Sequence, residues 1–284
     1  MTTTRSTYKC KNIFNFMKQK KKKLKEKSIS IPIEITEDLA YLCGVLAGDG
    51  NINFRQEKYE YSLKCVGNPQ NEKSFYFNIV GPKFKKVFGF TPNIRYFDSQ
   101  TTFGFVVFSK KVVNYLTQFV GLPLGKKYDK LKIPKIFLGD QKLLISFIRG
   151  VFDTDGCMCF KKRYRNYPYY PVISFSSKSK SFTKEIANIL KKLNFKLVEL
   201  YDYQMKDERV KKGLTIINRL ELNGENNLCL WMKKIGFFNL KNLDKIKKYG
   251  KSKMIAGGRF ELPTYTRKNS LGVSRQFMSP IRKL

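Results

Sequence analysis

Apolar positions follow two rhythms along this chain, and the rhythms come in the same order twice. Between residues 37 and 48 almost every position is apolar or small, which predicts a helix buried on most sides and ending at Asp49-Gly50. Period-two stretches from Asn51 to Arg55 and Tyr59 to Gly67 predict two strands. A helical rhythm returns over about 70–88, with Asn71 near its start. Strands follow from Ile94 to Asp98 and Thr102 to Phe108, then a helix over about 110–120 that stops before Gly121. The second pass begins with a helix over about 140–154 ending at Asp155-Gly156. It continues with strands from Cys157 to Arg163 and Tyr170 to Ser176, and a helix over about 179–193 opened by Ser179. Strands from Lys196 to Tyr203 and Leu214 to Leu222 and a helix over about 225–235, before Gly236, complete it. A further short helix is predicted over 237–250.

Each pass therefore reads αββαββα, an α+β pattern. Asp49 and Asp155 lie 106 residues apart, Ser74-Phe75 and Ser181-Phe182 lie 107 apart, and Phe88-Gly89-Phe90 and Leu193-Asn194-Phe195 lie 105 apart. A near-constant offset across three landmarks indicates two copies of one supersecondary unit. The organisation expected is a basic arm (1–35), a first half (36–121), a proline-containing linker (122–140), a second half (141–250) and a basic tail (251–284).

Charge narrows the partner. Lys and Arg number 56 against 22 Asp and Glu, a formal net charge of +34 spread over 284 residues, which attracts polyanions and nucleic acid first. Strand alternation gives this charge a surface. Ile52 and Phe54, like Met158 and Phe160, would face a core, leaving Asn51, Asn53, Arg55, Cys157, Cys159, Lys161 and Arg163 on an open face. Histidine is absent, which excludes histidine-based nucleophile systems, metal sites and general bases. Six cysteines without a CxxC pair read as reduced thiols. No run is apolar enough to span a membrane. Residues 1–27, rich in Ser, Thr and Lys, fit an organelle transit peptide or a disordered basic arm. The abundance of Lys, Phe, Ile and Asn is of the kind an AT-rich genome gives, and on it an organelle is the expected compartment.

The two Asp-Gly helices carry the candidate chemistry. Gly44 and Gly48 share a helix face, as do Gly150 and Thr154, and small residues four apart allow close helix approach. Packed face to face, the helices would bring Asp49 and Asp155 side by side, with Gly50 and Gly156 as left-handed caps. Two carboxylates at two negative helix ends need neutralising, by a shared proton or, better, by divalent cations.

LCGVLAGDG (42–50) and IRGVFDTDG (148–156) resemble the paired motifs of the LAGLIDADG homing endonucleases. Gly125-Lys126-Lys127, Lys132-Ile133-Pro134, Ile235-Gly236-Phe237 and Asn242-Leu243 extend the resemblance over roughly 36–250. It implies two pseudo-symmetric halves, signature helices at their interface, and two antiparallel sheets forming a saddle on double-stranded DNA. It implies metal-dependent phosphodiester hydrolysis by a monomer at a long asymmetric target, encoded in a mobile intron. The catalytic residues would be Asp49, Asp155 and Lys64, whose counterpart is Ser174. Mg²⁺ or Mn²⁺ would be held by Asp49, Asp155 and the carbonyls of Gly48 and Thr154. DNA contacts would come from Asn51, Asn53, Arg55, Lys161, Arg163 and Arg219. Ala47 stands where many members have a second acid, while Asp153 is retained at a position that serves packing or capping. An intron maturase acting on RNA and a catalytically silent DNA-binding regulator are the alternatives on the same scaffold.

Overall fold

The computed structural model describes residues 29–162, 170–208 and 213–255. Arg163, the arm before residue 29 and the tail after 255 lie outside the described residues. The first half consists of α1 (Glu37–Gly48), β1 (Gly50–Arg55), β2 (Glu60–Gly67), α2 (residues 73–88), β3 (Ile94–Phe97), β4 (Thr102–Phe108) and α3 (residues 110–119). The second consists of α4 (Gln141–Thr154), β5 (Gly156–Lys161), β6 (Tyr170–Ser177), α5 (Lys180–Lys192), β7 (Leu197–Lys206), β8 (Leu214–Asn223) and α6 (Glu225–Lys234). The duplicated order is thus observed element for element. Each half folds its strands into an antiparallel sheet, β1-β2-β4-β3 and β5-β6-β8-β7. A last helix, α7 (Leu240–Ile255), is longer than the sequence predicts and runs through Gly250.

Pairing register defines the faces. Ile52 lies opposite Leu63, and Cys65 opposite Phe105, and these four are buried against the helices. On the other face of the first sheet Asn51 lies opposite Lys64, and Lys64 opposite Val106. In the second sheet Cys157 lies opposite Ser174, and Ser174 opposite Glu221. Asn51 and Cys157 each stand two residues after a motif aspartate, so the ladders correspond, and Ser174 is the counterpart of Lys64.

The starts of α2 and α5 differ. Ser179 caps α5 through Phe182 N at 3.3 Å, as expected. Asn71 caps nothing: α2 starts at Lys73, and Glu72 at its N-cap turns its carboxylate back to Asn68 N at 2.7 Å. Within α2, a π-type turn at Tyr76–Val80 joins the segments Lys73–Phe75 and Gly81–Phe88. No helix of the described residues is long and apolar enough to cross a membrane.

Candidate active site

The centre of the molecule is the contact between α1 and α4. Thr36 caps α1 through Leu39 N, Asp140 caps α4 through Lys142 N and Leu143 N, and Leu39 to Ala47 are all buried. A helix so enclosed must be apolar on every face, which α1 is from Leu39 onward. The backbones cross at the glycines. A methyl group on Gly44 would lie 2.0 Å from the Phe147 carbonyl oxygen, and one on Gly150 would lie 2.2 Å from that of Tyr41. At the end of the crossing, a methyl on Gly48 would meet Thr154 Oγ1 at 2.1 Å and come within 3.3 Å of the Asp155 carboxyl carbon. The helices therefore deliver Asp49 and Asp155 to one place.

The caps differ from expectation. Asp49 and Asp155 end their helices in right-handed conformation, and neither Gly50 nor Gly156 has a positive φ. These glycines are needed for space: a methyl on either would stand 2.5 Å from the carbonyl oxygen of Leu46 or Phe152 as the chain turns from helix into strand. Left-handed glycines do occur at Gly121 and Gly236, where α3 and α6 end.

Around the two aspartates lie groups that sequence reasoning missed. Lys127 Nζ donates to the carbonyls of Leu46, Ala47 and Gly48 at 3.0, 2.9 and 2.5 Å, placing a full positive charge on the negative end of α1. Lys241 Nζ donates to the Thr154 carbonyl at 3.3 Å and to Glu72 Oε1 at 2.5 Å. Each half thus supplies one lysine, from the segment after its closing helix, to the carbonyl end of its own motif helix. The sequence signal was Gly125-Lys126-Lys127 and the residues before Asn242, read as resemblance without a role. Glu72, 4% exposed, brings a third carboxylate, and the Tyr76 hydroxyl donates to Asp49 Oδ2 at 3.3 Å. By the 107-residue offset, the second half has Ser179 and Thr183 at these two places.

Burial, reinforced by Glu72 and Asp155, pushes the Asp49 carboxyl up to about 8 against the pull of Lys241 and Lys127. Asp155, which keeps a solvent-exposed edge, is pushed up to about 6 by the protein around it, with Lys127 and Lys241 opposing. Burial lowers the Lys127 ammonium from its ordinary value although Asp155 and Asp49 favour its charge. Among the described residues no three acids or thiols converge to enclose an ion.

Asp153 is fully buried and serves structure. It accepts from Tyr41 Oη at 2.7 Å, from Phe238 N at 3.0 Å and from Asn239 N at 3.1 Å, while Asn239 Nδ2 donates to its carbonyl at 2.9 Å. The acid of α4 so ties together α1 and the segment leading into α7. Burial still raises it to about 6.

The remaining candidates lie on the open sheet faces. Asn51 and Arg55 are exposed and Asn53 is half-buried, with Arg55 3.7 Å from Glu60. Lys64 Nζ is bound to Asp98 Oδ2 at 2.8 Å in the β3–β4 turn, and the cations that act on Asp49 are Lys127 and Lys241. Lys161 Nζ binds both oxygens of Glu221 at 2.7 and 2.6 Å, and Arg219 lies 3.8 Å from the same carboxylate.

Residues 142–236 match the family model of a LAGLIDADG-like domain. An uncharacterized protein of Methanocaldococcus jannaschii is 25% identical over 186 residues, 64% of this chain and 63% of its own length. A probable translation initiation factor IF-2 of the same organism is 26% identical over 227 residues, 77% of this chain and 17% of its own length. The chain thus spans less than two thirds of either relative. Among solved structures, the homing endonuclease I-DmoI in complex with DNA and Ca aligns at a TM-score of 0.49 and 17% identity, over 70% of this chain and 88% of that one. The LAGLIDADG homing endonuclease I-GzeII in complex with its DNA target aligns at 0.49 and 10%, over 79% and 92%. Residues 142–236 thus carry a LAGLIDADG-like domain, and the first half repeats its αββαββα order, with the two motif helices joined at their glycines.

Proposed function

We propose that the chain is a site-specific endonuclease that cuts both strands of DNA with the help of divalent cations. The observation that carries this reading is the meeting of Asp49 and Asp155 at the abutting ends of α1 and α4, beside two antiparallel sheets. The donor set fits a hard cation. Both carboxyls are pushed up in pKa, first by burial and then by Glu72 beside them, and a bound cation would offset that cost of charging them. Because no three acids among the described residues enclose an ion, the shell would be completed by water and phosphate, as Mg²⁺ prefers. The carbonyls of Gly48 and Thr154 would join it only by giving up their bonds to Lys127 and Lys241 or through their second lone pairs. Mn²⁺ suits the same oxygen ligands.

When bound, such a cation supplies Lewis-acid polarisation of the phosphodiester. The chain's own residues do the rest. The glycine crossing fixes the separation of the two carboxylates. Lys127 and Lys241 hold the helix-end carbonyls in place and keep positive charge where an incoming phosphate would lie. Tyr76 orients the Asp49 carboxylate through its hydroxyl. The open faces supply phosphate contacts, which set register, and base-edge contacts, which select sequence. An intron as the gene's location and an organelle as the compartment belong to this proposal and rest on resemblance and composition.

The test is cleavage of supercoiled plasmids that carry candidate uninterrupted host loci, with Mg²⁺ or Mn²⁺ and with chelator. Linear product that needs the cation and is lost in Asp49→Asn and in Asp155→Asn supports the reading. Sequence-selective binding without any nicking under either metal would overturn it.

A further inference from the structure

The second sheet carries an acid where a DNA-binding surface has least use for one. Glu221 sits on the open face of β8, opposite Ser174 on β6, and is only 6% exposed. Toward backbone phosphate a carboxylate there is repulsive. Toward base edges in a major groove it is an acceptor, and it matches the amino group of cytosine. Its surroundings fix its direction. Lys161 reaches across β6, above the buried Val172, to grip both carboxylate oxygens. Arg219, two residues away on the same face and opposite Ser176, lies 3.8 Å from Oε1. The Nε of Arg219 is buried without a hydrogen-bond partner, while its Nη1 is the atom that lies against Glu221. The corresponding ladder of the first sheet has Val106 at this place, and the acid on that face, Glu60, lies opposite Arg55 at the other end of the β1–β2 ladder.

From this arrangement we infer that Glu221 is a specificity-determining residue of the second half. It accepts from a cytosine amino group and directs Arg219 toward a guanine edge, so that this half reads a step rich in G·C pairs. Lys161 offsets the acid's charge and holds its rotamer, which lowers the entropy lost on binding. The inference rests on the reading of the open faces as DNA-binding.

The experiment selects from a randomised duplex pool with the full chain, in an Asp49→Asn background that keeps bound DNA intact, with and without Glu221→Gln. The expected result is a G or C preference at one or two adjacent positions that falls about tenfold or more in Glu221→Gln, with other positions unchanged. Affinity for unselected DNA should be equal or higher, because a negative charge has gone. Lys161→Met, which keeps an apolar stem over Val172, should alter the same positions, and it decides the matter if melting curves show Glu221→Gln unfolded. A loss spread evenly over the site, or a profile that superimposes on that of the parent, would overturn the inference while leaving the DNA-binding reading intact. Failure of the parent to enrich any sequence would overturn both.

Discussion

Gly44→Ala is the smallest change that should disable the molecule. The added carbon would stand 2.0 Å from the Phe147 carbonyl oxygen and 3.0 Å from Gly150 Cα, both backbone atoms of the facing helix. Real Cβ contacts stay beyond 3.0 Å, so α1 and α4 would have to part by about 1 Å at the crossing. No side-chain rotation can relieve the clash. Parting by that distance forfeits about a quarter to a half of each dispersion contact along the interface. Added to the overpacking itself, the cost should reach about 3 kcal/mol or more. Urea unfolding measures it, and far-UV circular dichroism checks that the halves keep their secondary structure. Gly48→Ala provides the contrast, since its new carbon meets the Thr154 side chain, with Oγ1 at 2.1 Å and Cβ at 2.9 Å. Combining it with Thr154→Gly should restore part of the loss, a favourable coupling of about 1 kcal/mol or more in a double-mutant cycle. A Gly44→Ala protein within about 0.5 kcal/mol of the parent would refute the close crossing, and with it the juxtaposition of the two aspartates.

The site makes further predictions. Without metal, a carboxyl whose folded pKa is raised contributes stability that is full below its unfolded value and is lost as pH rises toward the folded one. In chelator, Asp49 (unfolded 3.8, folded about 8) should therefore lower stability between about pH 4 and 8, by on the order of a few kcal/mol after allowance for its partial exposure. Melting curves across that range should flatten on adding Mg²⁺ or on Asp49→Asn, and an unchanged slope in Asp49→Asn would count against the burial argument. Asp153→Ala leaves the amides of Phe238 and Asn239 without their acceptor and should cost about 3 kcal/mol, read by denaturant unfolding. Lys127→Met removes the donor to three carbonyls and should slow cleavage about a hundredfold with little change in DNA affinity, read by single-turnover kinetics and gel shift.

Much of this was legible in the sequence because it is written in period and spacing. The duplicated order of helices and strands follows from rhythms of 3.6 and 2, and the helix crossing from Gly44, Gly48, Gly150 and Thr154. The rest depends on where long side chains reach, which spacing does not encode. Lys127 and Lys241 arrive at the motif helices from segments 79 and 87 residues away in sequence from the carbonyls they bind. Glu72 looks like an ordinary residue at a helix start until the fold turns it toward Asp49. Lys64 was read from resemblance as a catalytic cation, and the turn at Asp98, three residues in left-handed conformation, holds its ammonium. The caps at Gly50 and Gly156 were assigned from residue type, when the constraint was room for the chain to turn beside Leu46 and Phe152.

The duplication also separates what the two halves must share from what they need not. Both motif helices must approach at glycine and end at an aspartate, because the carboxylates can meet only on the pseudo-two-fold axis between them. Both receive a lysine at the same end for the same electrostatic reason, that a helix terminus bearing an acid carries two sources of negative charge. Nothing imposes such equality elsewhere. Glu72 and Tyr76 have Ser179 and Thr183 as their counterparts, Lys64 has Ser174, and Val106 has Glu221. The first half places an acid beside the aspartates, where it is tied to the lysine of the second half. In the second half Ser179 stands at that position, and an acid, Glu221, stands instead on the open sheet face where the first half has Val106. On the proposed function, this is the division expected of one chain that treats two strands alike in chemistry and reads two unlike half-sites.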